Sequence, residues 1–91
     1  MDPLEIDDVT IVNETGINNF TILYSFDGSH WNPMVIKVGG MAAVPVNDDK
    51  EVYLMVIDKK NRKSTKKVVP SGKEVAVYRD TKNQKYAFRF H

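Results

Sequence analysis

Residues able to do covalent chemistry are few in this chain. Its 91 residues include two histidines, His30 and His91, and no cysteine, which excludes thiolate nucleophiles, thiolate metal sites and disulfides. Neither histidine sits in a motif, and no Gly-x-Ser-x-Gly elbow accompanies the serines. Carboxylates are doubled at Asp7-Asp8 and Asp48-Asp49. Neighbours in an extended strand point to opposite faces, so such doublets make poor acid and base partners there, and in loops water solvates them. Together with Asp27 they would supply oxygen ligands for calcium if several loops converged. "SHWNPM" puts His30 and Met34 within reach of one soft metal ion, although an ordinary blue-copper site needs the missing cysteine. The sequence therefore assigns no catalytic residue, no metal and no cofactor, and the chain is expected not to be an enzyme.

Charge is the more telling signal. Residues 1–58 hold ten acids and two bases, a formal balance of −8, and residues 59–91 hold eleven bases and two acids, a balance of +9. The overall +1 conceals that segregation. Within the basic part, "KKNRKSTKK" gathers Lys59, Lys60, Arg62, Lys63, Lys66 and Lys67. Like charges at this density repel one another, so some compensating role is expected of them. Three roles fit: lysines in a solvated loop that deter edge-to-edge strand pairing, a docking surface for acidic protein (another molecule or a second copy), or contact with phosphates of nucleic acid or an anionic surface. Docking to a protein partner is the preferred reading, with Lys73, Arg79 and Lys82 as neighbours of the lysine-rich hairpin. Nucleic acid ranks third, because the chain has no RNP-like aromatic string, no glycine-rich phosphate loop and no helix to enter a groove.

Carbohydrate recognition ranks second and rests on "YSFDGSHWNP", residues 24–33. Asp27-Gly28 is a hairpin signal, since a type I′ turn needs positive φ at both central residues. A two-residue turn sets Tyr24 opposite Trp31, and a four-residue loop sets Phe26 there instead. Trp31 then either caps one end of the core or forms with Tyr24 an exposed platform for a sugar or a partner's apolar surface. The string Tyr24-Ser25-x-Asp27-Gly28-x-x-Trp31 resembles hairpins of fibronectin-like, discoidin-like and carbohydrate-binding sandwich modules. The resemblance covers one hairpin, implies a sandwich of extracellular type, and carries over no site residue.

The elements that must position these groups read as strands throughout. Runs rich in β-branched and aromatic residues fall at 8–12, 20–26, 34–38, 42–46, 51–58, 66–69, 74–78 and 86–90. Turn compositions with Gly, Pro, Asn or Asp separate them. This spacing predicts an all-β fold: a small antiparallel sandwich of seven or eight short strands with Greek-key or immunoglobulin-like connections, residues 8–91 forming one domain behind a tail at 1–7. Connections this short do not accommodate parallel crossovers. Phe20, Ile22, Tyr24 and Phe26 share one face of their strand. "YLMVI" (53–57) is apolar on both faces and is expected to be covered on both, and Pro45 marks an edge or a break. The start "MDPLEIDDV" shows neither a basic cluster nor an apolar run, and no stretch reaches the roughly 20 apolar residues of a membrane helix. "NET" and "NFT" are glycosylation sequons at Asn13 and Asn19, relevant only to a secreted chain.

Overall fold

A computed structural model describes residues 6–47, 49–58, 60 and 63–91, without the side chains of Ile6 and Lys63. Eight strands form, β1 (Ile6–Glu14), β2 (Phe20–Ser25), β3 (Asn32–Ile36), β4 (Met41–Asn47), β5 (Glu51–Asp58), β6 (Lys63–Pro70), β7 (Glu74–Asp80) and β8 (Lys85–Phe90). No helix occurs among the described residues. Ile6 and Asp7 thus belong to the first strand, not to a tail.

The strands make two four-stranded sheets, with order β4-β1-β7-β8 in the first and β3-β2-β5-β6 in the second. The chain changes sheet between β1 and β2, β3 and β4, β4 and β5, and β6 and β7. One expectation fails here. β1 and β7 pair in parallel, from Thr10 opposite Glu74 to Glu14 opposite Tyr78, whereas the other pairings are antiparallel. Short connections forbid parallel pairing only between consecutive strands. Between β1 and β7 runs the whole second sheet together with β4.

Alternation decides what is buried. Val9 and Ile11 of β1, Val44 and Val46 of β4, and Val75 and Val77 of β7 meet Phe20, Ile22, Ile36, Val52, Leu54, Val56 and Val69 of the second sheet in one core cluster. Removing each such aliphatic side chain from water contributes about 1.5–3 kcal/mol. Along the β6 and β8 edges the sheets are tied together. The Thr65 hydroxyl donates to the Tyr86 carbonyl at 2.9 Å, the Phe20 and Tyr86 rings lie 4.9 Å apart, and Arg79 pairs with Asp58 at 2.9 Å while stacking on Tyr86. The edge strands carry the expected deterrents to further pairing: Pro33 on β3, Pro45 on β4, lysines on β6, and Lys85 and Arg89 on β8.

Asn13 occupies an inward position of β1 where the pattern calls for an apolar residue. Its side chain is fully buried, and its amide nitrogen donates to the carbonyls of Ile17 and Ile36 at 2.9 Å and of Lys37 at 3.2 Å. Its Oδ1 accepts from the Thr15 backbone N–H and hydroxyl. One side chain therefore fastens the end of β1 in the first sheet to the end of β3 in the second and fixes the turn between β1 and β2. The sequon at this position is closed in the folded state. Asn13→Ala leaves a buried carbonyl without a donor and should lower stability by about 2–3 kcal/mol in urea unfolding followed by circular dichroism. A loss no larger than that of an ordinary surface substitution would show that the bridge contributes nothing.

Candidate functional site

The outward faces of the two sheets differ in kind. On the first sheet, Glu14 of β1 reaches across β7 to Arg89 of β8 at 2.7 Å, Arg89 stacks over Tyr78 at 5.0 Å, and His91 pairs with Glu74. These side chains lie over Ala76, an outward residue that is nonetheless fully buried. The hydrogen bond from Arg89 holds the Glu14 carboxyl below its ordinary value of 4.5. The outward face of the second sheet is apolar instead. Leu23 of β2, Met55 of β5 and Lys66 of β6 follow one another across the strands, bordered by Val35, Ile57 and Val68. Val35 is 59% exposed, Ile57 49% and Val68 43%. "YLMVI" therefore sits centrally in its sheet as the sequence suggests, but only Val52, Leu54 and Val56 of β5 are covered, and the face bearing Tyr53, Met55 and Ile57 is not. Among the described residues no third layer lies over it.

The loop between β2 and β3 shapes one end of this face. Tyr24 opposes Asn32, so the loop is longer than a two- or four-residue turn, and Trp31 opposes neither Tyr24 nor Phe26. Ser25 points outward opposite Tyr53 yet is fully buried, because its own loop folds over it. Its hydroxyl accepts the N–H groups of Asp27 and Gly28 and donates to Asp27 Oδ1 at 2.9 Å. Asp27 Oδ1 also takes the N–H groups of Ser29 at 2.7 Å and His30 at 2.9 Å. Gly28, at φ 81°, permits the left-handed turn and brings the loop against the Tyr53 ring. The result is a shallow depression of about 310 Å³ lined by Gly28, Trp31, Tyr53, Lys66, Lys67 and Val68, with the Lys66 ammonium 5.9 Å from the centre of the Trp31 ring.

The structure distributes the residues singled out in the sequence as follows. Trp31 is half-buried beside Lys66 and is not part of the core cluster. Tyr24 faces inward, packs against the core and meets Phe26 edge-on at 5.9 Å, so Tyr24 and Trp31 do not form a platform. Tyr53 stands where Tyr24 was expected. Lys66 and Lys67 are neighbours in β6 and diverge, Lys66 outward over Trp31 and Lys67 over the Phe90 ring at 4.6 Å. Lys60 is exposed in the β5–β6 connection, Lys59 and Arg62 lie outside the described residues, and Lys63 begins β6. Lys82 is exposed at the same end of the molecule as Lys60, whereas Lys73 is at the opposite end, and Arg79 is engaged between the sheets with Asp58 and Tyr86. The exposed apolar residues of the second sheet carried one sequence signal that was read differently, the two-sided apolar run at 53–57.

Other groupings do not assemble a reaction centre. His30 Nδ1 lies 2.6 Å from Asp27 Oδ2, but the Ser25 hydroxyl bonds to the carboxylate instead of the imidazole and is buried, the wrong order for a Ser-His-Asp relay. A wider depression, about 770 Å³ between Phe26, Pro45, Asn47, Asp49, Lys50 and Tyr53, is lined by neither histidine. Among the described residues no group of three or more His, Asp or Glu side chains is placed to hold a metal ion. Comparison with protein-family models, with curated proteins and with solved structures finds no match to this chain.

Asp27 organises the loop that carries Trp31. The His30 N–H, then the His30 ring, the Ser29 N–H and the Ser25 hydroxyl hold its carboxyl well below the ordinary 3.8. The ionised form thus favours the fold. Its contribution is complete above the unfolded value of 3.8, declines below it, and is lost once the pH falls through the depressed folded value. Asp27→Asn should make the acid-side fall in unfolding temperature shallower below pH 3.8. Thermal unfolding by circular dichroism from roughly pH 2 to pH 6 checks this, and parallel acid curves for variant and parent would contradict it.

Proposed function

We propose that this chain is a non-catalytic binding module, a β-sandwich with Greek-key, immunoglobulin-like connections, that docks a protein partner on the outward face of β3, β2, β5 and β6. The observation that carries the reading is the contrast between the two outward faces. One is bridged over β1, β7 and β8 by the chain's own ion pairs, with Met41 open at its β4 edge, and the other leaves Val35, Ile57 and Val68 open to water beside half-exposed Trp31 and Tyr53. Contiguous exposed apolar surface with an aromatic centre is the anatomy of a protein interface. Lys60, exposed in the connection that follows β5, supplies attraction toward an acidic partner. The docking surface thus shifts from the lysine run itself to the sheet that the run adjoins.

Carbohydrate recognition is the second reading. The depression favours it, with Trp31 and Tyr53 as the aromatic pair in place of Tyr24. Nucleic-acid binding has less in its favour, because Lys66 and Lys67 point apart and make no stripe along which phosphates would track.

The docking reading is tested by replacing Val35 and Ile57 together with lysine. Both are exposed, so stability should change by no more than about 0.5 kcal/mol per site. Binding of an apolar reporter dye should fall, and a photo-crosslinking residue at position 35 or 57 should yield protein adducts that the same residue at Ala43, exposed on the first sheet, does not. Equal crosslinking from both sheets would refute the assignment.

A further inference from the structure

Lys66 stands alone in an apolar setting. On the outward face Met55 lies directly opposite it, Tyr53 and Ile57 lie diagonally beside it on β5, and Val68 and Ser64 are its neighbours along the edge strand β6. Glu51, the outward carboxylate of β5, is four residues along the strand from Met55 and accepts a hydrogen bond from the Tyr53 hydroxyl at 3.4 Å. No carboxylate among the described residues forms an ion pair with Lys66, whose ammonium rests instead over the Trp31 ring. Lys66 is itself exposed, with its ammonium against an aromatic face and apolar side chains on its β5 flank, so a partner docked there would be what excludes water from it. A carboxylate delivered there with apolar neighbours would pair with it in a lower effective dielectric than at an open surface.

Self-association through the same face is the weaker alternative. Among the described outward residues of these strands a second copy would offer Lys66 the carboxylate of Glu51, which already accepts the Tyr53 hydroxyl. The complementary occupant is acidic at its centre and apolar around it.

We infer that the outward face of the second sheet selects a protein segment that sets an Asp or Glu side chain against Lys66, in the depression between Trp31 and Tyr53, with apolar residues on either side of the acid. This rests on the docking reading above and adds the chemistry of the partner.

Trp31 is the chain's single tryptophan, so its emission reports on this depression alone. The probes are acetyl-Leu-Asp-Leu-amide, its Asn counterpart, and glucuronate, each titrated to roughly 10 mM, the range in which one desolvated ion pair with modest apolar contact would register. The Asp peptide should change Trp31 emission saturably and the Asn peptide should not. Lys66→Met should weaken the Asp peptide about tenfold or more, and Lys85→Met, on the other sheet, should leave it unchanged. Circular dichroism verifies that both variants are folded. No response to the Asp peptide, equal responses to Asp and Asn, or an undiminished response in Lys66→Met overturns the inference. If the Val35 and Ile57 substitutions still remove crosslinked partner in that case, the docking face stands without its carboxylate anchor. A response to glucuronate matching that to the Asp peptide assigns the depression to a sugar acid. Emission that shifts with protein concentration alone assigns the face to a second copy. Either result also overturns the inference.

Discussion

Two sheets share one thin core, and each can hide only one of its faces there. Val9, Ile11, Val75 and Val77 on one side and Ile22, Val52, Leu54 and Val56 on the other fill inward positions of the central strands. Among the described residues no further layer lies over what is left. Whatever the outward residues do must therefore be settled by the side chains themselves or by another molecule.

The first sheet settles it internally. Long charged side chains from β1 and β8 meet across β7 and close over Ala76, which is small enough to fit beneath them. The second sheet lacks such a cover. Its outward residues mix apolar side chains with Thr21, Ser64 and Lys66, and the Asp27-centred loop that curls onto them covers Ser25 and then stops at Trp31. The loop is rigidly hydrogen-bonded rather than apolar, so it frames the exposed surface without filling it. Fold and proposed role are linked at this point: the carboxylate that shapes the loop also decides where the indole is presented.

Most of the strands were legible because period-two patterning and turn residues are local properties. The spans of β2, β4, β5 and β8 agree with the sequence to within a residue, and Pro45 lies on an edge strand as its missing N–H requires. Partners were less legible than faces. The pattern of β1 shows which residues go inward and does not show that β7 will lie parallel beside it. The lysine run illustrates a different loss. Read as one loop, its charges point one way; placed in β6 from Lys63 onward, successive lysines must diverge, and Lys66 and Lys67 do. Tyr24 was misjudged for a similar reason, since the loop that follows it is long enough to carry Trp31 around to the other side of the sheet.

The parallel contact between β1 and β7 bears on how the molecule comes into being. β2, β3, β5 and β6 are complete by Pro70, and the β2–β3 and β5–β6 pairings are formed from residues near one another in the chain. β1 must wait for residues 74–80 before it acquires its second neighbour. During synthesis from the N-terminus, the first sheet stays half built, with β4 beside β1, until residues 74–80 have emerged. Pairing across so large a sequence separation is slow to form, and the apolar inner face of β1 remains at risk of aggregation for that interval.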